Sequence, residues 1–258
     1  MRELCARPNR LISLGEFAEQ FGCAKSSLSE DIAILRGVTS RYGRGIVETV
    51  NGSAGGVRFL PFYSDEADRA FIGRICTVLR VPERKLPGGF LYIADLLSKP
   101  EIMSRMGEIF AKQFYKLSVD VVVTVESMGV PIALMTAQAL GVPLITARRN
   151  HTAAEGSSVT INYASSSNRM QTMSLSRRLM EKGQRALIID DFMKGGGTAK
   201  GLEELMAEFG VFVSGAGVIF STSNPEKKRV ERYLPLMVLN NSEGCDTGTA
   251  DIYPASWL

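Results

Sequence analysis

Two neighbouring carboxylates, Asp190 and Asp191, are the side chains in this sequence best placed to do chemistry. They directly follow the apolar run 186–189. An apolar run that ends abruptly in charge is typical of a buried parallel strand whose carboxyl end reaches solvent. Carboxylates at such a strand end can accept hydrogen bonds from the hydroxyl groups of a sugar.

A glycine-rich loop follows the two carboxylates and ends in a threonine. Gly195, Gly196 and Gly197 have no Cβ, so the backbone can turn tightly and several N–H groups can face one anion. Thr198 adds a hydroxyl at the start of a predicted amphipathic helix, residues 199–209, whose positive dipole end faces the same anion. The pattern predicts a phosphate site. It is neither a Walker loop nor a dinucleotide fingerprint, because no Gly-Lys-Ser/Thr closes it and the acids precede the glycines.

The stretch from Leu187 to Thr198 resembles, residue type by residue type, the ribose 5-phosphate loop of the type I phosphoribosyltransferases. The resemblance implies that Asp190 and Asp191 bind the 2′ and 3′ hydroxyls of phosphoribosyl pyrophosphate (PRPP), and that the glycine–threonine loop binds its 5-phosphate. Lys194 stands where that family commonly has a small residue; a cation there either favours tight phosphate binding or points to solvent. The alternative is a connection between strand and helix that is merely glycine-rich.

A second strand end is predicted to face the same crevice. The β-branched run 119–125 predicts a strand buried on both faces, and a loop that begins at Glu126 follows it. The resemblance makes this loop the pyrophosphate loop, with Ser127 and the backbone N–H groups of Met128 and Gly129 as ligands. Taken alone, Ser-Met-Gly is equally typical of an ordinary helix entry, and the neighbouring phosphate loop favours the binding interpretation.

Strands and helices alternate along this part of the chain. A helix is predicted over 130–140 and a strand over 142–147, and the same order recurs around Asp190. The fold class is therefore α/β, a doubly wound parallel sheet whose sites lie off the carboxyl ends of its strands. A serine-rich mobile loop is predicted around a β pair at 159–164, and the resemblance implies that it closes over PRPP. His151 in that loop is either a catalytic base or solvated.

The segments flanking this core have simpler patterns. Before it, residues 65–79 predict a helix with acids in its first turn, 90–94 a short strand and 100–117 a long amphipathic helix. After it, a charged helix is predicted over 225–233 and a strand over 236–239. The remaining tail, which contains Tyr253 and Trp257, is too irregular to predict a base-binding pocket.

The N-terminal residues predict a helix-turn-helix. Residues 14–21 place apolar side chains at i, i+3, i+4 and i+7, and Gly22 follows where a helix C-terminal glycine is expected. A second amphipathic helix is predicted over 25–35, and its serines at 26 and 29 can cap it. The first turn of that helix carries small donors suited to phosphates and base edges in a major groove: Lys25, Ser26, Ser27 and Ser29.

A β-hairpin follows the two helices. The β-prone runs 45–50 and 56–60 are joined by a short glycine-bearing turn, which predicts a wing with Arg44 and Arg58 placed to meet a DNA backbone. Residues 1–60 carry eight Lys/Arg against six Asp/Glu, so charge alone does not decide the function. The alternative to a winged helix is a generic helical pair packed on a hairpin.

Residues 24–31 and 52–57 resemble the N-terminal motifs of the purine operon repressors of low-GC Gram-positive bacteria. The resemblance implies a winged-helix DNA-binding domain, residues 1–62, fused to a phosphoribosyltransferase-like effector domain, residues 63–258. In that family a full first helix precedes the stretch that matches 4–14. Only its last turn is present here, so we expect the first helix to be truncated and the start codon to lie upstream.

One departure from the repressor family affects the predicted pyrophosphate site. A basic residue often stands where this chain has Met128. The loss of one cation is expected to weaken binding by about 1–3 kcal/mol, the scale of one charged hydrogen bond. Arg148 and Arg149, at the end of the next strand, can compensate.

Composition limits the remaining classes of protein. The net charge of +3 excludes global polyelectrolyte binding, so any basic surface must be local. The four cysteines form no Cys-x-x-Cys pair and are expected to be free thiols in a reducing compartment. A single histidine excludes clustered imidazole ligands, and no metal site is predicted. With no 18-residue apolar run and no signal-peptide pattern, we expect a cytoplasmic protein without membrane contact.

These patterns and the resemblance predict a homodimeric, DNA-binding transcriptional repressor of purine biosynthesis and transport genes. PRPP, bound without catalytic turnover, is expected to release it from double-stranded operator DNA. The site requires no cofactor, although Mg²⁺ can accompany PRPP. Other nucleotides that carry pyrophosphate groups, including guanosine alarmones, can compete for the same loops. The alternative function is an active purine phosphoribosyltransferase, but an enzyme of that class does not require 60 residues of helix-turn-helix and wing.

Overall fold

A computed structural model provides the coordinates of this chain. The structure describes residues 1–52, 54–86, 90–126, 128–149, 156–165, 169–240 and 251–258. The predicted features at Ser127, His151 and Cys245 lie outside these residues.

The N-terminal unit contains three helices and a two-stranded antiparallel hairpin. These elements are α1 (Arg2–Ala6), α2 (Leu14–Phe21), α3 (Lys25–Tyr42), β1 (Ile46–Val50) and β2 (Gly56–Leu60). The hydroxyl of Ser13 accepts a hydrogen bond from the backbone N–H of Glu16, which caps α2. A small core of side chains from all five elements, including Phe17, Ile32 and Val57, joins the helices to the hairpin.

Helix α3 differs from its prediction at both ends. The predicted end at residue 35 is wrong, because the helix continues through Gly37 to Tyr42 and ends at Gly43, which adopts a φ of +63°. The predicted serine cap is also wrong: the helix begins after Ala24, which provides no side-chain cap. The serines are therefore left exposed on the first turn.

Helix α4 (Asp65–Leu79) follows a short extended connection, and its bounds match the prediction. The predicted strand 90–94 is reduced to a two-residue strand, β4 (Phe90–Leu91), paired with β3 (Lys85–Leu86). Helix α5 (Ala94–Leu97) leads into α6 (Pro100–Phe114), and the last residues of the predicted helix form a 3-10 turn.

A six-stranded sheet forms the centre of the C-terminal part of the chain. Its order is β12-β11-β10-β9-β5-β6, parallel except for the edge strand β12. The strands are β5 (Val121–Val125), β6 (Leu144–Ala147), β9 (Arg185–Met193), β10 (Phe212–Thr222), β11 (Tyr233–Asn240) and β12 (Asp251–Pro254). The predicted doubly wound fold is confirmed.

Both faces of this sheet are covered. Leu187 and Ile189 of β9 pack toward α4, α6 and α7 (Val130–Leu140), whereas Ala186 and Ile188 pack toward the opposite layer. That layer holds α8 (Gly197–Glu208) and a hairpin of β7 (Ser158–Ala164) and β8 (Met170–Ser176). Burial on both faces explains the continuous apolar run that precedes the carboxylates.

The C-terminal predictions were partly wrong. Residues 225–233 contain no helix, and their charges lie in a series of bends that follows a cis peptide bond before Pro225. Residues 251–254, predicted as irregular, form β12, because their backbone pairs with β11. The indole N–H of Trp257 donates to the carbonyl of Pro235. No helix in the part of the chain that the structure describes is long and apolar enough to span a membrane.

Candidate functional site

The two carboxylates lie where the sheet opens on one side of β9. That strand pairs with β5 only as far as Ile188, but it pairs with β10 as far as Met193. The predicted strand end at residue 189 is therefore wrong by four residues, because β10 continues to supply hydrogen-bonding partners. Asp190 and Asp191 thus belong to a strand that is firmly held on one side and open to the crevice on the other.

Asp190 is held in an environment that opposes its ionisation. Only 8% of the residue is exposed, and the backbone N–H of Asp191 donates to its Oδ1 at 2.9 Å. Burial, followed by the neighbouring charge of Asp191, raises the pKa of Asp190 well above its usual range, and the charge of Arg149 opposes this shift. Such a carboxyl group is suited to hydrogen bonding with a ligand hydroxyl.

The glycine loop turns directly from β9 into α8. Gly196 adopts a φ of +78°, which lets the chain reverse just before the helix begins at Gly197. Gly197 must also be small, because a Cβ there would lie 2.5 Å from the carbonyl oxygen of Ala164. Thr198, half-buried, is the second residue of the helix, as the phosphate-site prediction requires. Lys194 is exposed.

The second loop touches the first. A Cβ added to Gly129 would lie 2.4 Å from Oδ1 of Asp190 and 3.1 Å from the backbone N of Asp191. Met128, beside it, is 46% exposed, and α7 begins at Val130. The structure therefore brings the described part of the predicted pyrophosphate loop against the predicted ribose carboxylates.

Arg148 has a fixed backbone next to this crevice. Its N–H donates to the carbonyl of Ser174 in β8 at 2.9 Å, and its carbonyl accepts from the N–H of Ser174 at 2.8 Å. The side chains of Arg148 and Arg149 are exposed. The charge of Arg149 lowers the pKa of Asp190, so this cation lies close to the predicted ribose carboxylates. Whether it replaces the basic residue that is missing at Met128 stays a prediction.

The cleft at the phosphate loop is small in this conformation, with a volume of about 20 Å³. Its lining includes Asp190, Lys194, Gly196, Gly197 and Thr198. A larger, open cavity of about 550 Å³ lies elsewhere, between α3, the hairpin and Tyr115. The larger cavity contains neither loop, and its lining carries one arginine and one glutamate, so the chemistry favours the smaller cleft as the candidate ligand site.

The predicted DNA-facing residues divide into two groups. Lys25, Arg44 and the three serines of α3, Ser26, Ser27 and Ser29, are all exposed. Arg58 instead donates through Nε to the carboxylate of Glu48 at 2.6 Å across the hairpin. The sequence could not show this pairing, because Glu48 and Arg58 become neighbours only in the register of the two strands.

One buried charge at the site escaped the sequence interpretation. Lys228, 7% exposed, lies behind the glycine loop and donates to the carbonyl of Lys194 at 2.6 Å. It belongs to the charged stretch that was predicted as a helix, where a lysine would ordinarily be solvated. Nothing in the local pattern distinguishes it from Lys227, which is exposed.

With this geometry established, the comparisons with known proteins identify the family. Residues 1–61 match the model of the bacterial purine repressor N-terminal domain, and residues 93–254 match that of the phosphoribosyl transferase domain. The purine biosynthesis transcriptional repressor PurR of Bacillus subtilis is 42% identical over 92% of this chain and 84% of its own length. The chain belongs to the bacterial purine repressor family.

One further relative supports this assignment, and one solved structure shows the fold. The purine biosynthesis transcriptional activator PurR of Lactococcus lactis subsp. lactis is 38% identical over 91% of this chain and 87% of its own length. The crystal structure of adenine phosphoribosyltransferase from Thermoanaerobacter pseudethanolicus superposes with a TM-score of 0.54 at 18% identity. It covers 64% of this chain and 98% of the enzyme, which shows the fold of the effector domain.

Proposed function

We propose that this protein is a DNA-binding transcriptional regulator of purine genes whose hold on operator DNA is weakened by PRPP. The observation that carries the proposal is the close approach of Gly129 to the carboxylate of Asp190. It brings the two predicted ligand loops together near the carboxyl end of β9. A ligand that spans both loops must carry a phosphate, vicinal hydroxyls and a second anionic group. PRPP has these three features in this order.

Each part of PRPP has a partner in this arrangement. The 5-phosphate lies at the loop 195–198, where backbone N–H groups and the start of α8 favour an anion. The ribose hydroxyls donate to Asp190 and Asp191. The pyrophosphate lies at Met128 and Gly129, and Mg²⁺ can neutralise part of its charge. Arg148 and Arg149 supply positive charge at the edge of the crevice.

One helix connects this site with the DNA-binding unit. Helix α7 begins beside Gly129, and at its other end the carbonyl of Leu140 accepts a hydrogen bond from Nδ2 of Asn9 at 3.0 Å. Gly141, which ends the helix, lies so close to Pro8 that a Cβ would stand 2.5 Å from the carbonyl oxygen of Pro8. A shift of α7 caused by the ligand would therefore act directly on the N-terminal unit.

DNA binding uses the exposed donors of α3 and the hairpin. The first turn of α3 offers Lys25 and three serines to a major groove, and Arg44 reaches the backbone beside it. We further propose a homodimer, because two such units can read two half-sites with matching symmetry. PRPP can release the DNA only if it binds the two states differently.

We also propose that PRPP is sensed and not consumed, although the effector domain has an enzyme's fold. A measurement of pyrophosphate release from PRPP with each purine base tests this point directly. No turnover with any base is the expected result. Sustained turnover with one of them would establish the alternative function, a purine phosphoribosyltransferase.

The double substitution Asp190→Ala with Asp191→Ala tests the sensing site. We expect the variant to bind operator DNA like the wild type in gel shifts and to lose its response to PRPP. Asp120→Ala is a matched control, because this carboxylate lies at the amino ends of β5 and β9, the opposite end of the strands, where it accepts from the backbone N–H of Arg185. If the double variant loses DNA binding, the aspartate pair has a structural role and the assignment is wrong.

A further inference from the structure

A buried lysine behind the phosphate loop has no carboxylate partner among the residues that the structure describes. Only 7% of Lys228 is exposed, and lysine is rarely buried to this extent unless it is paired. Its Nζ donates to the carbonyl oxygens of Lys194 at 2.6 Å and Thr222 at 2.8 Å, and to the hydroxyl of Thr222 at 3.2 Å. All three acceptors are uncharged. Burial lowers the pKa of this ammonium, and no neighbouring carboxylate opposes the shift.

The neighbouring backbone holds the same part of the loop. The N–H of Arg229 donates to the carbonyl of Gly195 at 3.0 Å. Together with the Lys228 side chain, the segment 228–229 therefore donates to two consecutive carbonyls, those of Lys194 and Gly195. In a trans peptide the C=O and the following N–H point in opposite directions. The N–H groups of Gly195 and Gly196 must therefore face away from this segment, which is the orientation that an anion site requires.

Because no described carboxylate contacts Lys228, the positive charge of its ammonium is not cancelled by a neighbour. A carboxylate partner would cancel its field, whereas carbonyl and hydroxyl oxygens satisfy its protons and leave the charge available. Inside a protein, where the effective dielectric constant is lower than in water, that field reaches a nearby anion with less screening. The loop itself contributes backbone dipoles and the uncharged hydroxyl of Thr198, and the side chain of Lys194 extends to solvent.

We propose that Lys228 is the positioning residue for the 5-phosphate, and that it selects ligands carrying a phosphate monoester on ribose. It acts in two ways: its hydrogen bond to the carbonyl of Lys194 orients the N–H of Gly195, and its charge balances the phosphate from behind. This inference rests on the proposed function, because it assigns the phosphate loop to PRPP. It adds a residue that lies 34 positions from Lys194 in sequence.

The test compares Lys228→Met with Lys227→Met, its exposed neighbour, by calorimetric titration with three ligands. Ribose 5-phosphate and PRPP use the loop, whereas inorganic pyrophosphate alone uses only the opposite loop. We expect Lys228→Met to weaken binding of the first two by about 10- to 100-fold, on the scale of a lost charged hydrogen bond. Pyrophosphate affinity and effector-free operator binding should stay within twofold of the wild type, and Lys227→Met should change nothing.

Three results would overturn parts of this account in different ways. Unchanged binding of ribose 5-phosphate by Lys228→Met refutes the role of the lysine. If Lys228→Met loses affinity equally for all three ligands and also binds the operator more weakly, the residue is purely structural. That result also refutes the positioning role of Lys228. Failure of the wild type to bind PRPP refutes the proposed function itself. If Lys228→Met does not fold, Lys228→Gln retains amide donors without the charge and must show the same selective loss.

Discussion

Replacing Gly129 with alanine would insert a methyl group between the two loops of the candidate PRPP site. The new Cβ would stand 2.4 Å from Oδ1 of Asp190, whereas ordinary contact begins at about 3.4 Å, so one side must move by about 1 Å. The carboxylate cannot yield freely, because it is buried and accepts from the N–H of Asp191. We therefore expect the loop that contains Gly129 to move away from the ligand.

The size of the effect follows from the cost of overpacking. Forcing an extra methyl group into a packed site typically costs about 1–3 kcal/mol. If this cost falls on the ligand-bound arrangement, PRPP affinity decreases by about 5- to 150-fold. Operator binding in the absence of effector should change less than PRPP binding, because the substitution alters the loop before α7 and not the N-terminal unit itself.

Calorimetric titration with PRPP measures this loss, and circular dichroism establishes that the variant is folded. Gly73→Ala is the matched control: no atom lies within 4 Å of its added Cβ, and alanine favours the helix α4 that contains it. A folded Gly129→Ala protein that binds PRPP as tightly as the wild type would refute the contact between the two loops as a feature of the site.

Three further predictions test the carboxylate, the DNA surface and the connection between them. Asp190→Asn should raise the free energy of unfolding at neutral pH, because burial raises the pKa of this carboxyl group and makes its ionised form costly. Denaturation at several pH values should show that this gain in stability shrinks as the pH falls toward 4. A gain that does not depend on pH would contradict the prediction. Arg44→Ala should weaken operator binding and reduce the slope of log K against log salt by about one unit. Arg58→Ala should change both quantities less, because Arg58 is already paired with Glu48. Fluorescence anisotropy measures both affinities, and an equal loss of operator affinity in the two variants would contradict this order. Asn9→Ala removes the hydrogen bond to Leu140, so gel shifts should show that PRPP lowers operator affinity less than in the wild type. Calorimetry should give a PRPP affinity within about twofold of the wild type. If PRPP lowers operator affinity as much as in the wild type, this contact does not contribute to the coupling.

Local sequence patterns predicted most of the elements around the site. The apolar run before Asp190, the glycines after it and the amphipathic stretch beyond each have a local cause, so the strand, the loop and the helix could be placed from sequence. The length of β9 could not, because it is set by its pairing with β10, whose paired residues lie 27 or 28 positions further along the chain. The same holds for β12, which exists because β11 provides hydrogen-bonding partners.

Charged residues were the hardest to place. Residues 225–233 have the composition of a solvated helix, but they form the bends that bring Lys228 beneath the phosphate loop. Arg58 has the position of a DNA contact within its strand, but the register of the hairpin pairs it with Glu48. In both cases tertiary contacts decide the role of a charge, and these contacts join residues that local periodicity cannot connect.

The account is tested most directly by measuring the coupling between PRPP and operator DNA in both directions. Saturating PRPP should lower the affinity for a purine-gene operator by some factor, and saturating operator DNA must lower the affinity for PRPP by the same factor. We predict that both factors exceed about five and agree, and that both fall to one in the double variant Asp190→Ala with Asp191→Ala. Operator affinity that does not change at millimolar PRPP would contradict the central claim.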